Sequence, residues 1–376
     1  MLRPASSFSR NDSSDASFIT AEEWFAGGRR APFDPQQKRM VSTSNANTVN
    51  VFQRVVYPVS ASTPPSRWLT FLPGFPDGSY GFAKVDQRLE DTTNSTVRQI
   101  PRLYVEYVGQ GDSDKPVNYA YSTMERADLV EAQWRANGVR RTVVVTFDFS
   151  SLVLMELLRR QMERSFSSTC IEHVLILNGG LFADGHSHPW NTTPLLQTRV
   201  GRFGSRMAQH SNWMLNSMLR PLHSKSYRSK QTRRRELVEI RKTIRRHKGT
   251  SVLPVAAGFV REHQKYSDRW NLYNILTNLQ SQNQSITFEI VGSNEDPFEH
   301  RQINLARQRL QPFYPQVRTE RIPGGHLSIA ERTQDIVARI EALALKTAIA
   351  SVSSVSPSWS NVVTSTRSQP SWTAIY

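Results

Sequence analysis

The sequence predicts an α/β fold: a mostly parallel sheet with helices on both faces. Three observations carry this expectation. Short β-branched runs alternate with amphipathic stretches along most of the chain. One buried run passes into a helical pattern with almost no linker, at Thr142–Phe147. The interval 184–281 breaks the alternation, lacks strong strand runs, and reads as an inserted helical lid.

Taken in order, residues 1–20 are Ser-rich without apolar periodicity, and 1–47 as a whole reads as a tail and lead-in. Val51–Tyr57 is an early strand, and Trp68–Leu72 a buried one before the turn-rich PGFPDGS. Arg102–Val108 is a further strand ending in GQGDSDKP. Ser122–Asn137 places apolar residues at Met124, Ala127, Leu129, Val130 and Trp134. With Ser122 or Thr123 as N-cap and Gly138 as stop, it is a helix. The strand Thr142–Phe147 runs into the helix Leu152–Met162. His173–Leu177, Ile286–Val291 and Arg318–Ile322 are strands, and Ser328–Leu345 is a terminal helix. The core is thus expected in 48–183 and 282–348, with the lid at 184–281. A Ser-, Thr- and Pro-rich tail is expected at 349–376.

Composition sets the outer limits. The 376 residues are 38% hydrophobic and include 17 Phe, 8 Trp and 11 Tyr, enough for a substantial core. The single cysteine, Cys170, excludes an intrachain disulfide framework and a cysteine-rich zinc module. No apolar run approaches the roughly 18 residues of a membrane-spanning helix. Net charge is +15, of which +9 lies in Lys225–Lys248, with eleven Lys or Arg against two Glu. That segment reads as a solvated lid helix with an apolar stripe at Leu237, Ile240 and Ile244. Contact with nucleic acid or an anionic membrane through 225–248 is the alternative. Trp213, Met214, Leu215, Met218 and Leu219 have helical spacing and read as lid core or pocket wall. Arg3 and Arg10 precede the first acid, Asp12. A cytoplasmic location is expected, with mitochondrial import as the alternative. No phosphate-binding glycine motif is present, so no cofactor is expected. His186 and His188 read as loop histidines rather than a metal pair, and no metal is expected.

Four segments carry chemistry. In TVVVTF-D-F-SS, Asp148 sits at a strand–helix corner flanked by the small residues Thr146, Ser150 and Ser151, the pattern of a nucleophile elbow. An Asp there can attack carbon and form an alkyl ester; a simple helix cap is the alternative. In PGGHLSIAE, His326 follows a late strand and two glycines, placed to act as general base on water. In ITFEIVGSNEDP, Asp296 is the expected orienting acid, with Glu295 close behind and Asp184 weaker. In WLTFLPGFPDGS, Gly74 lets backbone approach a ligand, and the N–H groups of Phe75 and Phe149 form a candidate anion-holding pair.

Together these segments resemble the α/β-hydrolase superfamily. The nearest likeness is its aspartate-nucleophile branch of epoxide hydrolases and haloalkane dehalogenases, including mesoderm-specific-transcript-like proteins. GQGDSDKP, YSTMERADLVEAQW, LNGGLF and EHQKYSDRW extend the likeness over about residues 50–345. It implies an α/β-hydrolase fold with a helical lid, a cofactor-independent hydrolase, and a small apolar electrophile as substrate. The triad would be Asp148, Asp296 and His326, with Phe75 and Phe149 as oxyanion donors. The chain departs from the family at Pro73 and Phe147, where histidines are usual, and at Ser150 and Ser151 in place of a glycine pair. The Asn and Trp with which dehalogenases hold halide are replaced by Phe75 and Phe149, which favours epoxide chemistry. The lid tyrosine that epoxide hydrolases use as acid aligns with Phe259, leaving Tyr227, Tyr266 and Tyr273 as lid candidates. A catalytically impaired binding protein that uses the basic lid segment is the alternative.

Overall fold

The computed structural model describes residues 18–58, 65, 67–163, 169–187, 198–228, 231–247, 252–282, 284 and 286–346. The expected tails at 1–17 and 349–376, and His188, lie outside them. Nine strands form one sheet in the order β2-β1-β3-β5-β4-β6-β7-β8-β9. They are β1 (Arg29–Asp34), β2 (Arg39–Met40), β3 (Val49–Val56), β4 (Trp68–Leu72), β5 (Arg102–Val105), β6 (Arg141–Phe147), β7 (Cys170–Leu177), β8 (Thr287–Ser293) and β9 (Val317–Ile322). From β5 to β9 every pairing is parallel; β1, β2 and β3 add antiparallel partners at one edge.

The helices used below are α1 (Ala21–Ala26), α2 (Ala83–Glu90), α3 (Thr123–Ala136), α4 (Ser150–Glu163), α5 (Arg199–His210), α6 (Asn212–Leu219), α7 (Gln231–Arg245), α8 (Val252–Lys265), α9 (Leu272–Ser281), α10 (Gln302–Arg309) and α11 (Thr333–Leu345). The sheet separates two apolar clusters, as β6 shows. Val144 points to the side of α3, α4 and α9, while Val143, Val145 and Phe147 point to that of α2 and α11. Apolar residues are therefore needed on both faces, which is why β6 reads as a continuous run rather than an alternation.

Helix α3 starts where Ser122 accepts from the Glu125 N–H and stops at Gly138, whose φ of +68° suits glycine. Helix α4 starts at Ser150, two residues earlier than periodicity suggests, because it springs directly from the corner after β6. The strand expected over Arg102–Val108 ends at Val105. Glu106 then turns inward, its carboxylate accepting from the Ser79 N–H and hydroxyl.

One sequence expectation is corrected. The segment up to residue 47 is not merely a lead-in. It contains α1, β1 and β2 and extends the sheet. Thr20 and Glu23 close a capping box on α1, and Trp24 is buried, its indole donating to Ser79. RRAPFD carries too many charges to read as a strand; pairing with β3 imposes the conformation.

The interval 184–281 is helical among its described residues. Its last helix, α9, packs against α4 of the core. The chain returns through Arg269 and Trp270, and both side chains donate to Glu156, as do Arg159 and Arg160. Burial pushes the Glu156 carboxyl pKa up, but the hydrogen bonds from Arg269, Arg159 and Arg160 reverse this and hold it well below its ordinary 4.5.

Replacing Glu156 by Ala leaves these guanidinium groups without their shared anion. A loss of about 3–5 kcal/mol in urea unfolding is expected, the usual cost of breaking a buried pair. Because its folded pKa is depressed, the stability Glu156 contributes is present above pH 4.5 and fades as pH falls below it.

Candidate active site

The parallel strands end along one edge of the sheet, and strand order reverses at β4, between β5 and β6. Loops leaving β4 and β6 therefore diverge there, the position at which open α/β sheets bind their ligands. Asp148 occupies this point. It has φ +56°, a left-handed conformation that costs a non-glycine residue about 1–3 kcal/mol. Close packing holds it. A Cβ on Gly74 would lie 2.5 Å from the Phe147 ring and 2.7 Å from the Asp148 Cβ, so β4 and β6 can approach only through glycine.

Ser150 and Ser151 fit the corner by bonding inward. The Ser150 hydroxyl bonds the Pro73 carbonyl and Tyr107; that of Ser151 bonds the carbonyls of Asp148 (2.9 Å) and Gly180 (3.1 Å). The space is repaid across the loop: a Cβ on Gly179 would meet the Ser151 Cβ at 2.9 Å.

The Asp148 carboxylate is shared by two groups. Oδ2 accepts the Phe75 N–H at 2.9 Å, and Oδ1 lies 3.7 Å from His326 Nε2. The imidazole Nδ1 is 3.0 Å from Asp296 Oδ2. Asp296 is itself fixed, its Oδ1 accepting from the Phe298 N–H at 2.8 Å and the Glu299 N–H at 3.2 Å. The structure thus brings Asp148, His326, Asp296 and Phe75 together. Phe149 adjoins them, but its ring stacks on Phe259, with centroids 3.8 Å apart, and also meets Tyr107 and Arg126. Glu295 instead accepts the Lys225 N–H, and Asp184 pairs with Arg309 at the surface.

His326 is 1% exposed and lies between the rings of Phe147 and Phe298. Burial pushes its pKa down. The charges of Asp296 and Asp148 prevail and lift it to about 9, which favours the imidazolium.

The three lid tyrosines are engaged elsewhere. Tyr227 is buried against His223 and donates to Glu236 at 2.6 Å. Tyr266 packs edge-on to Trp270, and Tyr273, 44% exposed, sits against Phe313 and Tyr314. The lid reaches the site instead through the backbone around His223. The Leu222 carbonyl accepts the Leu327 N–H, and a Cβ on Gly325 would lie 2.5 Å from that carbonyl oxygen. His186 joins Glu299 and His263 by hydrogen bonds, and the described residues contain no metal-binding group of three.

Two contributors escaped sequence reasoning. Asn178, at φ +46°, braces three strand ends: its amide donates to the His326 carbonyl (2.7 Å) and Ser293 Oγ (3.0 Å), and its oxygen accepts the Ser293 N–H. LNGGLF drew attention only as family-like text. Asp77 is the other. Its carboxyl is buried, and Oδ1 has no hydrogen-bond partner among the described residues. Burial pushes its pKa up to about 7, among the charges of His326, Glu236 and Asp148. An acid two residues after Phe75, whose N–H meets Asp148, was the available signal.

The sheet order, the corner at Asp148 and the helical insertion between β7 and β8 define the class: this is an α/β-hydrolase fold. The chain is similar to the mesoderm-specific transcript proteins. The human homologue is 27% identical over 209 residues, covering 54% of this chain and 58% of the relative, so the match spans little more than half the relative's length. No family model matches. Among solved structures, a haloalkane dehalogenase mutant from Agrobacterium tumefaciens superposes with a TM-score of 0.57 at 14% identity, over 85% of this chain and 98% of that one. The epoxide hydrolase CorEH gives 0.54 at 15% identity, over 84% and 97%. No described helix is long and apolar enough to cross a membrane.

An NMR titration of His326 should show a midpoint near 9, falling in Asp148→Asn and further in Asp296→Asn, since Asp296 is the stronger source of the rise. A midpoint unchanged in both variants would contradict the geometry. Because the folded pKa lies above the ordinary 6.5, the stability this pairing contributes is complete below pH 6.5 and is lost as pH rises through about 9.

Proposed function

We propose that this chain is a cofactor-independent hydrolase of small apolar electrophiles, epoxides in preference to alkyl halides, working through an ester on Asp148. The observation that supports it is the division of labour on one carboxylate, with a backbone N–H on one oxygen and the His326 ring nitrogen 3.7 Å from the other. Oδ1 attacks carbon, the carbon–oxygen bond of the ring breaks, and the electron pair goes to the departing oxygen. Oδ2 becomes the ester carbonyl oxygen, already on the Phe75 N–H that then holds the charge of the second step.

Esterification also changes the base. It removes the Asp148 charge, one of the groups that raise His326. The imidazolium then gives its proton to solvent and takes one from water as that water attacks the ester carbonyl; the bond from the carbonyl carbon to Oδ1 breaks, and the product oxygen leaves with the proton from His326. Asp296 remains to stabilise the imidazolium that re-forms.

The departing alkoxide needs a proton. With the Tyr227 hydroxyl given to Glu236, the acid that suits this step is Asp77, protonated in part at neutral pH. A carboxyl kept neutral by burial can donate in this way.

A single turnover in oxygen-18 water tests the ester. Label should appear in the Asp148 carboxylate, and Asp148→Asn should lower turnover at least ~10³-fold. His326→Gln should accumulate a peptide carrying the substrate mass. A broad epoxide and halide panel with neither turnover nor label would favour the alternative, a binding protein on the same fold. Asp77→Asn should slow epoxide opening by about 10²-fold while sparing alkyl halides, whose leaving group needs no proton. Equal loss on both substrates would remove Asp77 from the acid role.

A further inference from the structure

Helix α5 is inside out. It buries its small residues Gly201, Ser205 and Ala208 and exposes its large apolar ones. Val200, Phe203 and Met207 are 76%, 67% and 58% exposed, at the i, i+3, i+7 spacing of one helical face. The neighbouring α6 buries Leu215 and Leu219 and exposes Trp213 (77%), Met214 and Met218. The two helices touch each other, and α7 packs against both: Arg245 donates to the carbonyls of Gln209 and His210. Sequence spacing had suggested lid core or pocket wall for this stretch. Only Leu215 and Leu219 serve as core.

The charge around this face is of one sign. From Gly185 to Arg235 the sequence has ten Lys or Arg and no Asp or Glu. Arg199, Arg202 and Arg206 project from α5, and Arg234, Arg235 and Lys242 from α7. The two acids of α7 are turned inward. Glu236 is bound by Tyr227 and Lys84, and Glu239 accepts the Ala21 N–H and pairs with Lys242, which leaves the arginines as the border of the face. An exposed apolar patch is unusual on a protein that faces only water. Large apolar side chains with an aromatic among them, bordered by cations alone, match the interface of an anionic bilayer. A nucleic acid would satisfy the arginines but gives Val200, Met207, Met214 and Met218 nothing to enter.

We infer that the outer face of α5 and α6, bordered by the arginines of α5 and α7, is a docking surface for an anionic lipid bilayer, with Phe203 and Trp213 inserted among the acyl chains. The inference is independent of the chemistry proposed for Asp148.

Co-sedimentation of the full chain with vesicles tests it. Vesicles with about a third phosphatidylserine in phosphatidylcholine should retain the protein about tenfold better than phosphatidylcholine alone, and high salt should weaken retention. The surface pair Phe203→Ser with Trp213→Ser, and separately Arg202→Glu with Arg206→Glu, should each abolish it; both retain the fold by circular dichroism. Equal binding to both vesicle types, or retention unchanged by both pairs, would overturn the inference. So would absence of vesicle binding with a self-association that the Phe203–Trp213 pair abolishes, which makes the face a contact between copies. Duplex DNA binding unaffected by that pair, again without vesicle binding, would assign the arginines to nucleic acid and overturn it as well.

Discussion

The structure depends on one backbone corner. Between Phe147, the last residue of β6, and Ser150, the first of α4, only two residues intervene, and the chain reverses through Asp148 at φ +56°. A left-handed residue with a side chain persists only where its surroundings over-determine it. Here they do so from both sides. Gly74 lets the β4 loop press against Phe147 and Asp148, and Gly179 yields to Ser151. The Asp148 N–H donates to the Leu177 carbonyl, tying the corner to the end of β7. What this strain achieves is direction: the carboxylate stands above the sheet edge, against the Phe75 N–H.

Placing two carboxylates and an imidazole where water is scarce costs several kcal/mol per charge unless each is partnered. The arrangement meets that demand by sharing. Asp148 and Asp296 face opposite nitrogens of His326, while backbone N–H groups take the remaining carboxylate oxygens. Asp77 nearby is buried with one carboxyl oxygen unpartnered among the described residues, and burial raises its pKa, because protonation is cheaper than an unsolvated charge. The same logic places Glu106, pushed up to about 8 by burial, behind the turn that carries Ser79.

Much of this was legible in the sequence, for reasons that differ by residue. The parallel strands were readable because strands buried on both faces need unbroken apolar runs, as in TVVVTF. Asp148 was readable because a corner without a linker tolerates only small flanks. Asp296 was preferred over Glu295 on position alone; the structure separates them by orientation, since Glu295 turns outward to the Lys225 N–H. The N-terminal hairpin was not legible. RRAPFD has no apolar alternation, and its strand conformation comes from a partner twenty residues away. Nor was Asn178 legible, since its role depends on meeting Ser293 and His326 in space. The lid tyrosines failed for a related reason: spacing identifies a hydroxyl on a helix but not where it spends its proton, and Tyr227 spends it on Glu236.

The lid carries two opposite surfaces. On its inner side the acids Glu236 and Glu239 find partners in the core, and the Leu222 carbonyl and the Ser224 N–H clamp the loop that holds His326 through Leu327 and Glu331. On its outer side the charges are cationic and the large apolar groups of α5 and α6 are uncovered. A helix whose small residues face inward packs closely there and gains little from burial. The rest of the insertion holds it, through Leu215, Leu237 and Ile240 in one apolar cluster and Trp270, Ile275 and Leu279 in the other, and polar contacts to the His326 loop add to them. At that loop the backbone of the insertion touches the site with no side chain between, since a Cβ on Gly325 would lie 2.5 Å from the Leu222 carbonyl oxygen.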